Sequence, residues 1–161
     1  MMTPAILDIG AKAPDFVLDS DQHLQISLSQ FLGKKVLLYF YPKDDTPGCT
    51  RQACDFRDDI DKFAELNVEV IGISKDSASR HQKFKQKYAL PFTLLVDADG
   101  GVCEAYGVMD KKSLFGKSFL GINRSTFLID EQGVIVKIWR KVKVTGHSAA
   151  ILNELTKVTS E

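Results

Sequence analysis

A chain of 161 residues, 44% of them hydrophobic, is long enough for one domain (residues 1–161) with its own core, without disulfide or metal staples. Lys plus Arg (21) balances Asp plus Glu (21), which argues against a nucleic-acid binder or a polybasic membrane anchor. The opening residues 1–8 lack the cationic head and apolar stretch of a secretory signal, and the longest apolar run, Val36 to Tyr41, is far short of a membrane span, so a cytoplasmic protein is expected.

In chain order, Phe16–Leu18 and Leu24–Ser27 read as a short hairpin turning at Asp19-Ser20-Asp21. Lys35–Tyr41, apolar and aromatic throughout, reads as a buried central strand. A helix is predicted from Pro47 to about Leu66, because Ala53, Phe56, Ile60, Phe63 and Ala64 fall on one helical face. Val68–Ser74 is the next strand, Ser77–Tyr88 a polar helix with Phe84 and Tyr88 on one side, and Phe92–Val96 a further strand. After an Asp97–Gly100 turn, a short helix is expected to carry Tyr106 and a half-buried Cys103. Met109–Asn123 reads as a long loop. Thr126–Ile129 and Val134–Arg140 form a predicted hairpin around residues 130–133, and a last helix covers about Ala149–Val158, with Ile151, Leu152 and Leu155 as its apolar stripe. The alternation predicts an α/β fold with a central mixed sheet flanked by helices, in thioredoxin-like order.

The chemistry gathers just after the central strand, in Tyr41-Pro42-Lys43-Asp44-Asp45-Thr46-Pro47-Gly48-Cys49. Open α/β sheets hold their sites at the carboxyl ends of strands. Thr46 before Pro47 predicts a helix N-cap and first helical residue, which puts Cys49 in the first turn. Free amides and the helix dipole favour a thiolate there. Making an ordinary thiol largely anionic near neutral pH takes about 3.4 kcal/mol of preference for the anion. A helix end supplies about 0.3–1 kcal/mol, or ~2 when partly buried. A nearby cation is therefore needed; the local ones are Lys43 and Arg51, either of which could face solvent, leaving the task to a distant residue. The bland alternative is a small buried residue at a helix start.

Cys54 stands five positions on, along the same predicted helix. Such a pair is separated by a rise of about 7.5 Å and a turn of about 500°, whereas a disulfide needs Cα atoms within about 7 Å and converging Cβ vectors. Joining the two would require the first turns of the helix to unwind. The spacing alone leaves Cys54 open between a partner for Cys49 and an idle helix-face residue. Zinc is a poor fit, because Cys-x4-Cys is loose and His23, His81 and His147 are scattered. The spacing also differs from the Cys-x-x-Cys of a disulfide exchanger.

With these residues on the page, the chain resembles the peroxiredoxins, and among them the peroxiredoxin Q or bacterioferritin comigratory group. The likeness runs from Gly10-Ala11-Lys12-Ala13-Pro14-Asp15-Phe16 through Phe40-Tyr41-Pro42, Thr46-Pro47-Gly48-Cys49-Thr50, Cys54, Gly72-Ile73-Ser74, Phe92-Thr93-Leu94-Leu95 and Thr126-Phe127-Leu128-Ile129-Asp130 to the final helix. Its specific signal is Pro-x-x-x-Thr-x-x-Cys, here Pro42, Thr46 and Cys49. The resemblance implies that Cys49 attacks a hydroperoxide and becomes a sulfenic acid. It implies that Thr46 holds the sulfur and peroxide, Pro42 shields the pocket, Arg124 supplies the cation, and Cys54 resolves the sulfenic acid as an intramolecular disulfide. Some members place the resolving cysteine on the next helix, where this chain has Phe84. The resemblance further implies no cofactor or metal, a thioredoxin or glutaredoxin as reductant, and a monomer.

Other features carry less. Phe115-Gly116-Lys117-Ser118 shares the end of a phosphate-binding loop but lacks its earlier glycine. Asn123-Arg124-Ser125 fits a glycosylation sequon that is idle in a cytosolic protein. Trp139 reads as a strand residue packing on a face, and Asp44 and Asp45 read as loop solvation. A relay that senses peroxide and oxidises a partner protein needs the same reactive Cys49. A binding module with inert cysteines is the remaining alternative.

Overall fold

The computed structural model describes residues 7–159, so residues 1–6 of the segment weighed for a secretory signal lie outside it. In chain order the elements are β1 (Val17–Ser20), β2 (Gln25–Ser27), a 3-10 turn (Leu28–Phe31), β3 (Lys35–Phe40), α1 (Pro47–Asp58), α2 (Ile60–Glu65), β4 (Val68–Ser74), α3 (Ala78–Tyr88), β5 (Thr93–Val96), α4 (Gly101–Ala105), β6 (Met109–Leu114), β7 (Lys117–Ile122), β8 (Ser125–Ile129), β9 (Ile135–Trp139) and α5 (His147–Thr159). Seven strands make one sheet in the order β2-β1-β5-β4-β3-β8-β9. The central β3, β4 and β5 are parallel, and β1 and β8 join them antiparallel. This is the mixed central sheet the alternation predicts.

The sheet is covered on both faces, which is why β3 carries an unbroken apolar run. Successive side chains of a strand point to opposite sides. Leu37, Tyr39 and Tyr41 therefore pack with Ala53 and Phe56 of α1, Phe63 of α2, Phe84 of α3 and Ile151 of α5. Val36, Leu38 and Phe40 pack on the other side with Tyr106, Phe127, Ile129 and the incoming Phe16. Burying a side chain such as Phe56 fully contributes about 1.5–3 kcal/mol, so a few such residues suffice to dock α1 on the sheet. Gly72 makes room for one of them: a Cβ there would sit 2.9 Å from the Tyr39 ring and 2.9 Å from Leu94.

The structure corrects several expectations. The helix predicted over 47–66 is two helices broken at Asp59, whose carboxylate accepts from the Ser148 hydroxyl at 2.7 Å. The segment read as a long loop at 109–123 is a β6–β7 hairpin with a regular antiparallel register from Met109↔Ile122 to Leu114↔Lys117. Its two-residue turn, Phe115-Gly116, has both φ angles positive, at 52° and 77°, as primed hairpin turns require. The first hairpin turns after Ser20 rather than through it. Cys103 is fully buried, not half-buried, and its N–H donates to the Asp97 carboxylate at 2.8 Å. Burial first, then the Asp97 hydrogen bond and charge, push its thiol well up, which disfavours the thiolate there. Trp139 lies on β9 and meets His147 edge-on at 5.7 Å. Among the described residues no helix is long and apolar enough to cross a membrane.

Candidate active site

The segment from Pro42 to Thr46 joins the end of β3 to the start of α1. Thr46 is extended at the N-cap (φ −92°, ψ 157°) and Pro47 opens the helix, as its fixed φ favours. The Thr46 carbonyl accepts the first helical bond from the Thr50 N–H at 2.8 Å. Its hydroxyl makes no capping bond; it donates instead to the Lys43 carbonyl at 2.8 Å. Cys49 is thereby set in the first turn, 2% exposed, against Tyr39 and Tyr41. Pro42, which follows Tyr41 at the end of β3, is half-buried.

The cation comes from the start of the neighbouring strand. Lys43 and Arg51 are exposed. Arg124, 75 positions from Cys49, donates from Nη2 to Cys49 Sγ at 3.3 Å and from Nη1 to Gln52 Oε1 at 2.7 Å. Strand pairing explains the reach. β8 runs antiparallel to β3 with Ser125 opposite Phe40, so Arg124, one residue earlier, emerges at the carboxyl edge of β3. A full charge about 4 Å from a thiolate attracts it by roughly 4 kcal/mol near a protein surface, before desolvation.

Gln52 was not singled out from the sequence, although its spacing three residues after Cys49 places both on one helix face. It is 1% exposed and anchors the guanidinium. Gln52 Nε2 and the Tyr39 hydroxyl are buried without a hydrogen-bond partner among the described residues. Burial first, then the negative charges of Cys49 and Asp44, push the Tyr39 phenol well up, so it is a donor at all working pH values.

Cys54 is half-buried on the unbroken α1, and both it and Cys49 are free thiols. Burial raises the Cys54 thiol above its ordinary value, with Arg57 opposing the effect and Asp58 and Asp55 adding to it. The intact helix thus keeps Cys54 turned away from Cys49, as the spacing requires.

Of the two acids of the loop, Asp45 is exposed as expected, but Asp44 is not solvated. Asp44 is 3% exposed; Tyr41 Oη donates to it at 2.6 Å, His81 Nδ1 lies at 2.6 Å, and its own N–H donates to Asp76 at 2.7 Å. Asp45 has a positive φ of 59° and accepts from Lys87 and Tyr88, each at 2.9 Å. Among the described residues no group of His, Cys, Asp and Glu is placed to hold a metal ion.

A buried cysteine at a helix start, with an arginine on its sulfur and a thioredoxin-like sheet beneath it, defines a thiol-based redox protein. Residues 9–138 match the model of the AhpC/TSA family, and the chain belongs to that family. Its relatives there are the bacterioferritin comigratory, or peroxiredoxin Q, proteins. Peroxiredoxin Bcp of Bacillus subtilis is 51% identical over 155 residues, covering 96% of this chain and 99% of its own. The structure of Xylella fastidiosa PrxQ superposes with a TM-score of 0.90 at 35% identity, covering 98% of this chain and 99% of that one. A Xanthomonas campestris bacterioferritin comigratory protein, described for its alkyl peroxide reduction activity, gives 0.87 at 38% identity over 95% and 98% of the two chains. The fold and the family resemblance read from the sequence are borne out. Thiol-dependent reduction of peroxides comes with that membership.

Proposed function

We propose that Cys49 is the peroxidatic cysteine and Cys54 its resolving partner, in a cycle that a dithiol reductant completes. The Cys49 thiolate attacks the terminal oxygen of ROOH. The O–O bond breaks, the sulfur becomes a sulfenic acid, and RO⁻ takes a proton to leave as an alcohol or water. The Cys54 thiol then displaces hydroxide from the sulfenic sulfur, giving a disulfide and water. A thioredoxin or glutaredoxin returns both cysteines to thiols.

The observation that carries this reading is the Arg124 guanidinium, 3.3 Å from a first-turn sulfur and braced by Gln52. It favours the thiolate and offsets the charge that develops on the departing oxygen. The Thr46 proton is committed to the Lys43 carbonyl, so its oxygen acts as an acceptor and takes the O–H of the incoming peroxide. Pro42, at the mouth, limits water. Resolution requires α1 to unwind from its first turn, since the two cysteines cannot meet on an intact helix.

Peroxide consumption with thioredoxin, thioredoxin reductase and NADPH tests the assignment. Cys49→Ser should abolish turnover. Cys54→Ser should still be oxidised once by peroxide but form no intramolecular disulfide. Substantial turnover in Cys49→Ser would overturn the first role. An intramolecular disulfide in Cys54→Ser would overturn the second.

A further inference from the structure

We propose that His81, acting through Asp44, is a positioning residue that locks the peroxide-binding loop in its reactive shape and opposes the unwinding of α1. The proposal rests on the assignment of Cys49 and Cys54 above.

His81 is 0% exposed, and both ring nitrogens face oxygen. Nε2 lies 2.9 Å from the Leu95 carbonyl, an acceptor only, so Nε2 carries a proton. Nδ1 lies 2.6 Å from Asp44 Oδ2. The other carboxylate oxygen, Oδ1, accepts from the Tyr41 hydroxyl at 2.6 Å. Whichever partner formally holds it, one proton sits between Nδ1 and Oδ2, and the pair carries no net charge. That explains how an acid tolerates burial here.

The unit is not needed to close the core, since apolar residues of similar size would fill the same space. What it does is fasten a loop. Asp44 is held by His81 and Tyr41 through its side chain and by Asp76 through its N–H. Asp45, in a left-handed conformation that needs outside support, is held by Lys87 and Tyr88. The Tyr88 carbonyl in turn accepts from Arg57 of α1 at 2.7 Å. Apart from Tyr41, every one of these partners lies on α3, on its approach from β4, or on α1. The Thr46 hydroxyl is oriented by the Lys43 carbonyl within the same loop. A shift of this backbone therefore moves the acceptor that meets the peroxide.

The lock sits on the N-terminal side of the helix that must open. It should speed the first chemical step and slow the second. A residue that merely stabilises the fold would not move the two rates in opposite directions.

The test is stopped-flow single turnover on the full chain, reading Cys49 oxidation in a Cys54→Ser background and disulfide formation in the otherwise native chain. His81→Ala should slow Cys49 oxidation by about tenfold or more and accelerate disulfide formation. Asp44→Asn should recover most of the oxidation rate, because its amide donates to His81 Nδ1 and its oxygen still accepts from Tyr41. Lys87→Ala with Tyr88→Phe releases only the exposed half of the grip; it should slow Cys49 oxidation and accelerate disulfide formation, each by a smaller factor than His81→Ala, even if His81→Ala does not fold. Unchanged rates in this exposed pair together with unchanged rates in a folded His81→Ala, or rates that fall together in both, would overturn the lock alone. A wild-type Cys49 that does not react with peroxide would overturn the lock and the functional assignment together.

Discussion

Gly48 faces two opposing demands. It lies in the first turn of a helix, where alanine is favoured over glycine by up to about 1 kcal/mol. A Cβ there would also come within 3.1 Å of Arg124 Nη2, the atom on Cys49 Sγ. The guanidinium is braced by Gln52 and cannot retreat without leaving the sulfur. Gly48→Ala should therefore leave stability equal or slightly raised while slowing Cys49 oxidation by about tenfold. Denaturation midpoints and stopped-flow oxidation on the same preparation check the two halves. Residues at this scale were legible in proportion to how local their partners are. The places of Thr46, Pro47 and Cys49 at a helix start follow from the capping rules, and Pro42 entered through the short local motif of the family resemblance. Arg124 required the family resemblance, because its contact depends on pairing between β3 and β8. Gln52 and the burial of Asp44 escaped notice. Their partners, Arg124 and His81, lie 72 and 37 positions away.

The break at Asp59 gives the helix region two independent parts. Asp59 accepts from Ser148 of α5 at 2.7 Å and pairs with Lys62 at 3.6 Å. Phe63 of α2 is fully buried among the residues under the sheet. Unwinding driven by a Cys49–Cys54 bond should stop at this break. Hydrogen exchange of the oxidised protein should show lost protection across the first turns of α1 and retained protection in α2; protection lost equally in both would refute the boundary. The sequence could not reveal the break, because Ala53, Phe56, Ile60 and Phe63 keep helical spacing straight through it. The β6–β7 hairpin was hidden for a different reason. Most of its residues are exposed on both faces, so no alternation marks it, and its turn uses Phe-Gly where Asn-Gly would have been the readable signal. The strands of the central sheet were legible because each has at least one face to bury.

At the scale of the molecule, burial of ionisable groups sets the pH range of stability. Desolvation first, and then the Arg124 charge, lower the His147 imidazole to about 4. The unfolded chain binds that proton near pH 6.5, so the folded state loses ground as pH falls from 6.5 towards 4, by at most roughly 3 kcal/mol. On the alkaline side, Tyr39, Tyr41 and Cys103 are raised, chiefly by burial. The unfolded chain ionises first there, and stability falls as pH rises through 9 and 10. Urea midpoints against pH should give a plateau between these limits. In His147→Gln the acid limb should flatten; an unchanged limb would show that carboxylates alone govern it.

The order in which the chain leaves the ribosome bears on the thiol proposed to meet peroxide. Residues 35–96 contain β3, α1, α2, β4, α3 and β5, which are neighbours in the sheet and share one face of the core. Arg124 and β8 are synthesised after all of them. A nascent chain that has reached β5 presents Cys49 with its helix but without the guanidinium on its sulfur. The proposed site is thus completed only when β8, which directly follows Arg124, docks beside β3. Stalled chains ending before and after β8 should differ in how fast Cys49 takes up a thiol-reactive dye, the shorter being slower.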